Sequence, residues 1–169
     1  MSQFGILISL SIFNKPIPHL NLNIMPKVRN ILKEKGNAIY SIAPDQTVYE
    51  ALELLVDKNI GALVVIDNGK FVGIFTERDY ARKVILKGKA SKETLIGEIM
   101  SANPITISSD ESLEQCMKLM TNKFIRHLPV VDDGKLVGLV SIGDLVKYII
   151  DEQKFIIENL ESYIAGQKS

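Results

Sequence analysis

Two short strings hold the residues best placed to do chemistry. Thr76-Glu-Arg-Asp79 and Ser141-Ile-Gly-Asp144 each set a hydroxyl three residues before a carboxylate, where an apolar strand-like stretch gives way to a helical pattern. A helix start carries unpaired amide donors and partial positive charge, so the hydroxyl and amides there suit a phosphate. A carboxylate in the first turn can accept two hydrogen bonds from a ribose 2′,3′-diol, as an acidic residue does in dinucleotide folds. The same spacing also makes a helix cap, with Thr76 or Ser141 as N-cap and the aspartate returning the bond. The two roles can coexist.

Arg78 and Arg82 follow the first string and share a helix face at i, i+4. They read either as a solvated basic face or as a clamp for more than one phosphate. Lys83 and Lys87 extend the same basic stretch. The second string lacks these charges: Ile142, Gly143 and Leu145 stand where the first has Glu77, Arg78 and Tyr80. The two sites are therefore expected to be unequal. Arg126 and His127 immediately precede an apolar strand-like run, which puts them near the same groove.

Other chemistries have little to work with. A single cysteine, Cys116, forms neither an internal disulfide nor a cysteine-rich zinc site, and its helical spacing among apolar residues reads as core. Two histidines, His19 and His127, leave little for a metal site or a triad. No nucleophile–base pair, metal cluster or Walker loop stands out, so the chain reads as no enzyme. Twenty basic residues balance twenty acidic ones, which disfavours a charge-driven nucleic-acid binder. Cysteine usage fits a reducing compartment, and a cytoplasmic location is expected.

The elements that position these strings come from an internal repeat. Shifted by 65 positions, residues 38–80 match 103–145 without a gap, with 13 of 43 pairs identical, among them Asp67/Asp132, Gly73/Gly138 and Asp79/Asp144. Each copy reads β-α-β-β-α. The first strand is Ile39–Ile42 or Ile105–Ile107. Helix starts at Thr47-Val-Tyr-Glu50 and Ser112-Leu-Glu-Gln115 both have the capping-box pattern. The turns Asp67-Asn-Gly-Lys70 and Asp132-Asp-Gly-Lys135 signal hairpins. One copy is too small for a good core, so the expected fold class is α/β (α+β), with two repeats packed sheet to sheet about a pseudo-two-fold axis. From Asp144 the helical pattern continues to about Tyr163, with Ile149, Gln153, Ile156, Leu160 and Tyr163 in a coiled-coil-like stripe. The apolar run Phe4–Phe13 has ten residues, short of the roughly 20 that a bilayer crossing needs. Residues 1–24 read as a tail or linker outside the core, with a targeting or membrane-associating segment, or docking of the strand-like run onto the fold, as the other readings.

The repeat resembles the CBS domain, named after cystathionine β-synthase, and two tandem copies resemble the pair called a Bateman module. Gly73-Ile-Phe-Thr-Glu-Arg-Asp79, Gly138-Leu-Val-Ser-Ile-Gly-Asp144, the string Ser41 to Leu52 and Arg126 to Asp132 carry the resemblance, which spans about Val28 to Lys154. It implies repeat 1 at 25–90, repeat 2 at 91–152 and a helical extension at 153–169. It also implies a regulatory module, without catalytic cofactor, that binds AMP, ATP or NAD(H) in clefts between the repeats. S-adenosylmethionine, cationic and without phosphate, fits a basic site less well. By the family's cross-over geometry, Pro104 and Ile105 would frame the adenine of the Asp79 site, with Arg126 and His127 on its phosphate. Ile39 and Tyr40 would join Ser141 and Asp144. The resemblance implies a homodimer and an unknown protein target, with neither nucleic acid nor membrane as partner. A ligand-free dimeric scaffold is the alternative.

Overall fold

The computed structural model describes residues 26–36 and 38–166. The expectations for residues 1–24 lie outside the described residues.

Helix α1 (Val28–Lys35) is followed by β1 (Ser41–Ile42), α2 (Val48–Lys58), β2 (Ala62–Asp67), β3 (Lys70–Thr76) and a short α3 (Glu77–Asp79). Next come α4 (Ile96–Ile99), β4 (Ser101–Ala102), α5 (Leu113–Lys123), β5 (His127–Asp132), β6 (Lys135–Ser141) and α6 (Ile142–Gly166). One sheet has the order β1-β2-β3-β4, and β5 and β6 make a second. The mixed architecture of two repeats with a long C-terminal helix is the one the sequence implies.

Local sequence explains most of this. Thr47 caps α2 by accepting from the Glu50 amide at 3.2 Å, and Glu50 accepts from the Thr47 amide at 2.7 Å. Ser112 accepts from the Gln115 amide at 3.2 Å, but the box does not close as expected. The neighbouring Glu111 carboxylate takes the Ser112 amide instead, at 3.0 Å, and satisfies the donor that Gln115 would have served. Both hairpins turn through two left-handed residues, Asn68–Gly69 and Asp133–Gly134, the turn that matches strand twist. The strand expected at Ile105–Ile107 shrinks to one parallel bridge between Ile107 and Val130. Its counterpart, β1, pairs two residues with β2.

The cores exchange their leading helices. Val28, Ile31 and Leu32 of α1 pack with Ile107, Leu113, Cys116, Leu128 and Leu145 of the second repeat. Ile96 and Ile99 of α4 pack with Val48, Leu63, Phe75 and Val84 of the first. Each repeat is thus completed by the helix that precedes the other, which couples their folding.

The helix after the first string departs from regularity. From Asp79 it runs on as a π-helical turn, Tyr80–Val84, and a 3-10 turn, Ile85–Lys87, before Gly88 ends it in the left-handed region. Such π turns recur at functional sites. The matching α6 runs for 25 residues. Along it Ile149, Ile156, Leu160 and Tyr163 are half-buried, and Gln153 is exposed. Cys116 is fully buried, and burial pushes its thiol up to about 11, an inert core residue.

Candidate functional site

A cavity of about 630 Å³ opens where the end of β3 meets the start of β5. That volume lies within the range of small-molecule sites, roughly 300–1,000 Å³. Thr76, Arg78, Asp79 and Arg82 line it from the first repeat. Pro104, Ile105, Arg126 and His127 line it from the second. Eight of the expected site residues therefore share one wall system, although 22 or more positions separate the two groups in sequence. Ile39, Tyr40, Ser141 and Asp144 do not line it.

Thr76 and Asp79 form the reciprocal cap that their spacing implies. The Thr76 hydroxyl oxygen accepts from the Asp79 amide at 3.2 Å, and Oδ2 of Asp79 accepts from the Thr76 amide at 3.0 Å and hydroxyl at 2.7 Å. The capping role is thus realised, and one carboxylate oxygen is committed to it. The other, Oδ1, accepts from the Ser101 hydroxyl at 3.1 Å and pairs with the Lys83 ammonium at 2.7 Å. Lys83 also donates to the Ile99 carbonyl at 2.9 Å and to Ser101 Oγ at 3.1 Å. Asp79 is 9% exposed, so this network fixes its carboxylate at the cavity wall.

Arg78 turns the other way and donates to the carbonyl of Phe124, just past α5. Consecutive residues thus hold different elements, Asp79 the Ser101 hydroxyl of β4 and Arg78 the Phe124 carbonyl past α5. Five cations, Arg78, Arg82, Lys83, Lys123 and Arg126, face two carboxylates, Glu77 and Asp79. His127 adds no charge near neutral pH. Burial lowers its pKa to about 4, helped by Arg126, Lys35 and Arg78 and opposed by Asp144. The net field is positive and suits an anion.

The sequence pattern does not single out Lys83, Ser101, Lys123 or Phe124 as site residues. A signal existed for Lys83, which stands four residues after Asp79. Ser101 and Phe124 arrive through tertiary packing, and nothing in their local strings marks them.

The second string folds into the same cap. Asp144 Oδ2 accepts from the Ser141 amide at 2.7 Å and hydroxyl at 2.8 Å, and Ser141 Oγ accepts from the Asp144 amide at 3.2 Å. Here, however, Lys35 reaches across from α1 to the same Oδ2 at 2.7 Å and to the Leu139 carbonyl at 3.3 Å. Tyr40 is 39% exposed, and its carbonyl accepts from the Val64 amide at 3.2 Å, as a strand residue would.

The family model described as CBS domain matches residues 28–85 and 96–151. The CBS domain-containing protein CBSX3, mitochondrial, of Arabidopsis thaliana is 38% identical over 148 residues, 82% of this chain and 72% of that protein. A structure of a protein with CBS domains from Burkholderia ambifaria MC40-6 aligns with a TM-score of 0.73 at 48% identity, over 76% of this chain and 96% of that one. The CBS domain pair of protein MJ0100, in complex with 5′-methylthioadenosine and S-adenosyl-L-methionine, aligns with a TM-score of 0.67 at 30% identity, over 76% and 99%.

Proposed function

The chain belongs to the CBS-domain family, with two domains in tandem, and on that premise we propose that it is a regulatory module binding a phosphate-bearing adenosine ligand in the Asp79 cavity. The observation that carries this reading is the cavity itself. It gathers the fixed Asp79 carboxylate and five cations from both repeats around one space, and the volume admits a nucleotide. Asp79 Oδ1 would accept from the ribose diol, with Lys83 and Ser101 yielding to it. The exposed guanidinium of Arg126 and the half-buried one of Arg78 would meet phosphate. Pro104 and Ile105 would offer the adenine an apolar edge and backbone bonds.

A related domain pair binds adenosine compounds without phosphate, which supports the adenosine part of the reading. The five cations favour AMP, ATP or NAD(H) over S-adenosylmethionine, whose sulfonium they repel. No group in the cavity forms a nucleophile–base pair, so the proposal is binding and signalling, without turnover. Output passes to a separate protein or through assembly. On α6, Val146, Ile150 and Ile157 are 44%, 45% and 54% exposed, at helical spacing, and we place a homodimer contact there. Among the described residues no helix is long and apolar enough to cross a membrane. A cytoplasmic location goes with the adenosine pools such a module would read.

Calorimetric titration with AMP, ATP, NAD, NADH and S-adenosylmethionine tests this. Micromolar binding of at least one phosphate-bearing ligand, with S-adenosylmethionine weaker, is the expected result. A folded protein that binds none would leave the dimeric scaffold as the function.

A further inference from the structure

Phe124 is an odd residue for its position. It ends α5 in the left-handed region, with φ 54° and ψ 37°. Asn59, its repeat mate, ends α2 in nearly the same conformation, φ 51° and ψ 51°. Asparagine tolerates that region because its short polar side chain bonds locally, whereas a bulky aromatic side chain is strained there. The ring gains no burial in return, since Phe124 is 79% exposed. Folding alone therefore favours asparagine at 124, and the second repeat has phenylalanine. Strained residues of this kind gather at ligand clamps. Phe124 lines the Asp79 cavity, and the Arg78 guanidinium holds its carbonyl.

We infer that Phe124 is a stacking platform for a second planar ring of the ligand, so that the cavity selects dinucleotides over mononucleotides. The inference rests on the adenosine reading above. With the ribose on Asp79 and the adenine against Pro104 and Ile105, the phosphate end of the ligand points toward Arg78. A ring attached beyond the phosphates then reaches Phe124, next to Arg78. A mononucleotide stops short of it. The αL backbone and the Arg78 contact to the carbonyl fix the point from which the ring projects. Aromatic stacking on one base is worth a factor on the order of 5 to 100 in affinity.

Phe124→Asn and Phe124→Trp separate this role from a structural one. Both variants and the wild type would be melted without ligand and titrated with NAD and AMP. Phe124→Asn should melt at or above the wild-type temperature, because strain is relieved. Its NAD affinity should fall at least fivefold, and its AMP affinity less than twofold. Phe124→Trp should retain NAD affinity. Unchanged NAD affinity in Phe124→Asn would overturn the inference. So would equal losses for AMP and NAD, which would put the adenine on the ring, or a markedly lower melting temperature, which would make Phe124 a packing residue. A wild type that binds AMP but not NAD overturns this inference alone, whereas one that binds neither overturns the adenosine reading as well.

Discussion

Lys35 and Asp144 meet at 2.7 Å, and with that contact the two repeats cease to be equivalent. The ammonium comes from α1, which packs into the core of the second repeat, and it sits on the carboxylate that the repeat would otherwise offer to a ribose. Asp79 also has a lysine partner, but from its own helix and within an open cavity. One ligand per chain is therefore expected from calorimetric stoichiometry. Two per chain would show that Lys35 gives way. Lys35→Ala should raise the stoichiometry and leave the affinity of the first site unchanged.

The same pair sets a pH dependence. Burial alone would raise the Asp144 pKa, but hydrogen bonds from Lys35 and from the Ser141 amide and hydroxyl together outweigh it and hold the carboxyl below 3.8. A depressed carboxylate pKa contributes stability above the unfolded value, lost as pH falls through the folded one. Lys35→Ala should cost about 1 kcal/mol near pH 7. That difference should fade below about pH 4 in denaturant melts, as the carboxylate takes up its proton.

His127 acts in a higher window. Its folded pKa is about 4 against an ordinary 6.5, so between those values the unfolded chain binds a proton that the folded chain refuses. Stability is then full above about pH 6.5 and declines as pH falls toward 4. His127→Gln should flatten the thermal stability profile between pH 7 and 4.5. An unaltered slope would show that His127 is not the group responsible.

Asp79 caps its helix and, in the proposed reading, also holds the ribose, so its removal should show twice. Asp79→Ala should weaken the adenosine ligand at least tenfold through the lost ribose contact. It should also lower Tm by about 2–8 °C, since the lost cap is worth roughly 1–2 kcal/mol. Asp144→Ala loses the same cap and should cost similar stability while leaving affinity at the Asp79 cavity intact. Equal affinity losses in both variants would remove the ribose role from Asp79.

Gly73 and Gly138, three residues before Thr76 and Ser141, are there for close approach. A Cβ at Gly73 would lie 2.9 Å from the Ser101 carbonyl oxygen, and one at Gly138 would lie 2.6 Å from Leu32 Cδ2. Each alanine substitution should cost about 1–3 kcal/mol in chemical denaturation. Gly73→Ala should cost more, because a backbone oxygen in β4 yields less readily than a leucine tip. It should also weaken the ligand, since Ser101 donates to Asp79. Gly138→Ala should leave that affinity unchanged.

Much of this was legible in the chain. The 65-residue offset, the Asn68–Gly69 and Asp133–Gly134 turns and the caps at Thr47, Thr76 and Ser141 are local patterns, decided within a few residues by hydrogen-bond geometry and backbone freedom. They located both strings and gave the element order. Where local signals compete, pattern and structure part, as at Ser112, whose amide goes to the adjacent Glu111.

The sequence by itself determined the two repeats, their helix caps and the inequality of Arg78 with Gly143. Only the tertiary structure decided what those strings face. It placed Phe124 on Arg78, Ser101 on Asp79 and Lys35 on Asp144, pairs 46, 22 and 109 positions apart. Local pattern is set by neighbours along the chain, whereas these contacts depend on how α1 and α4 pack into each other's repeats. No short window of sequence carries that exchange, because burial of Val28, Ile31 and Ile96 is settled only when both cores close together.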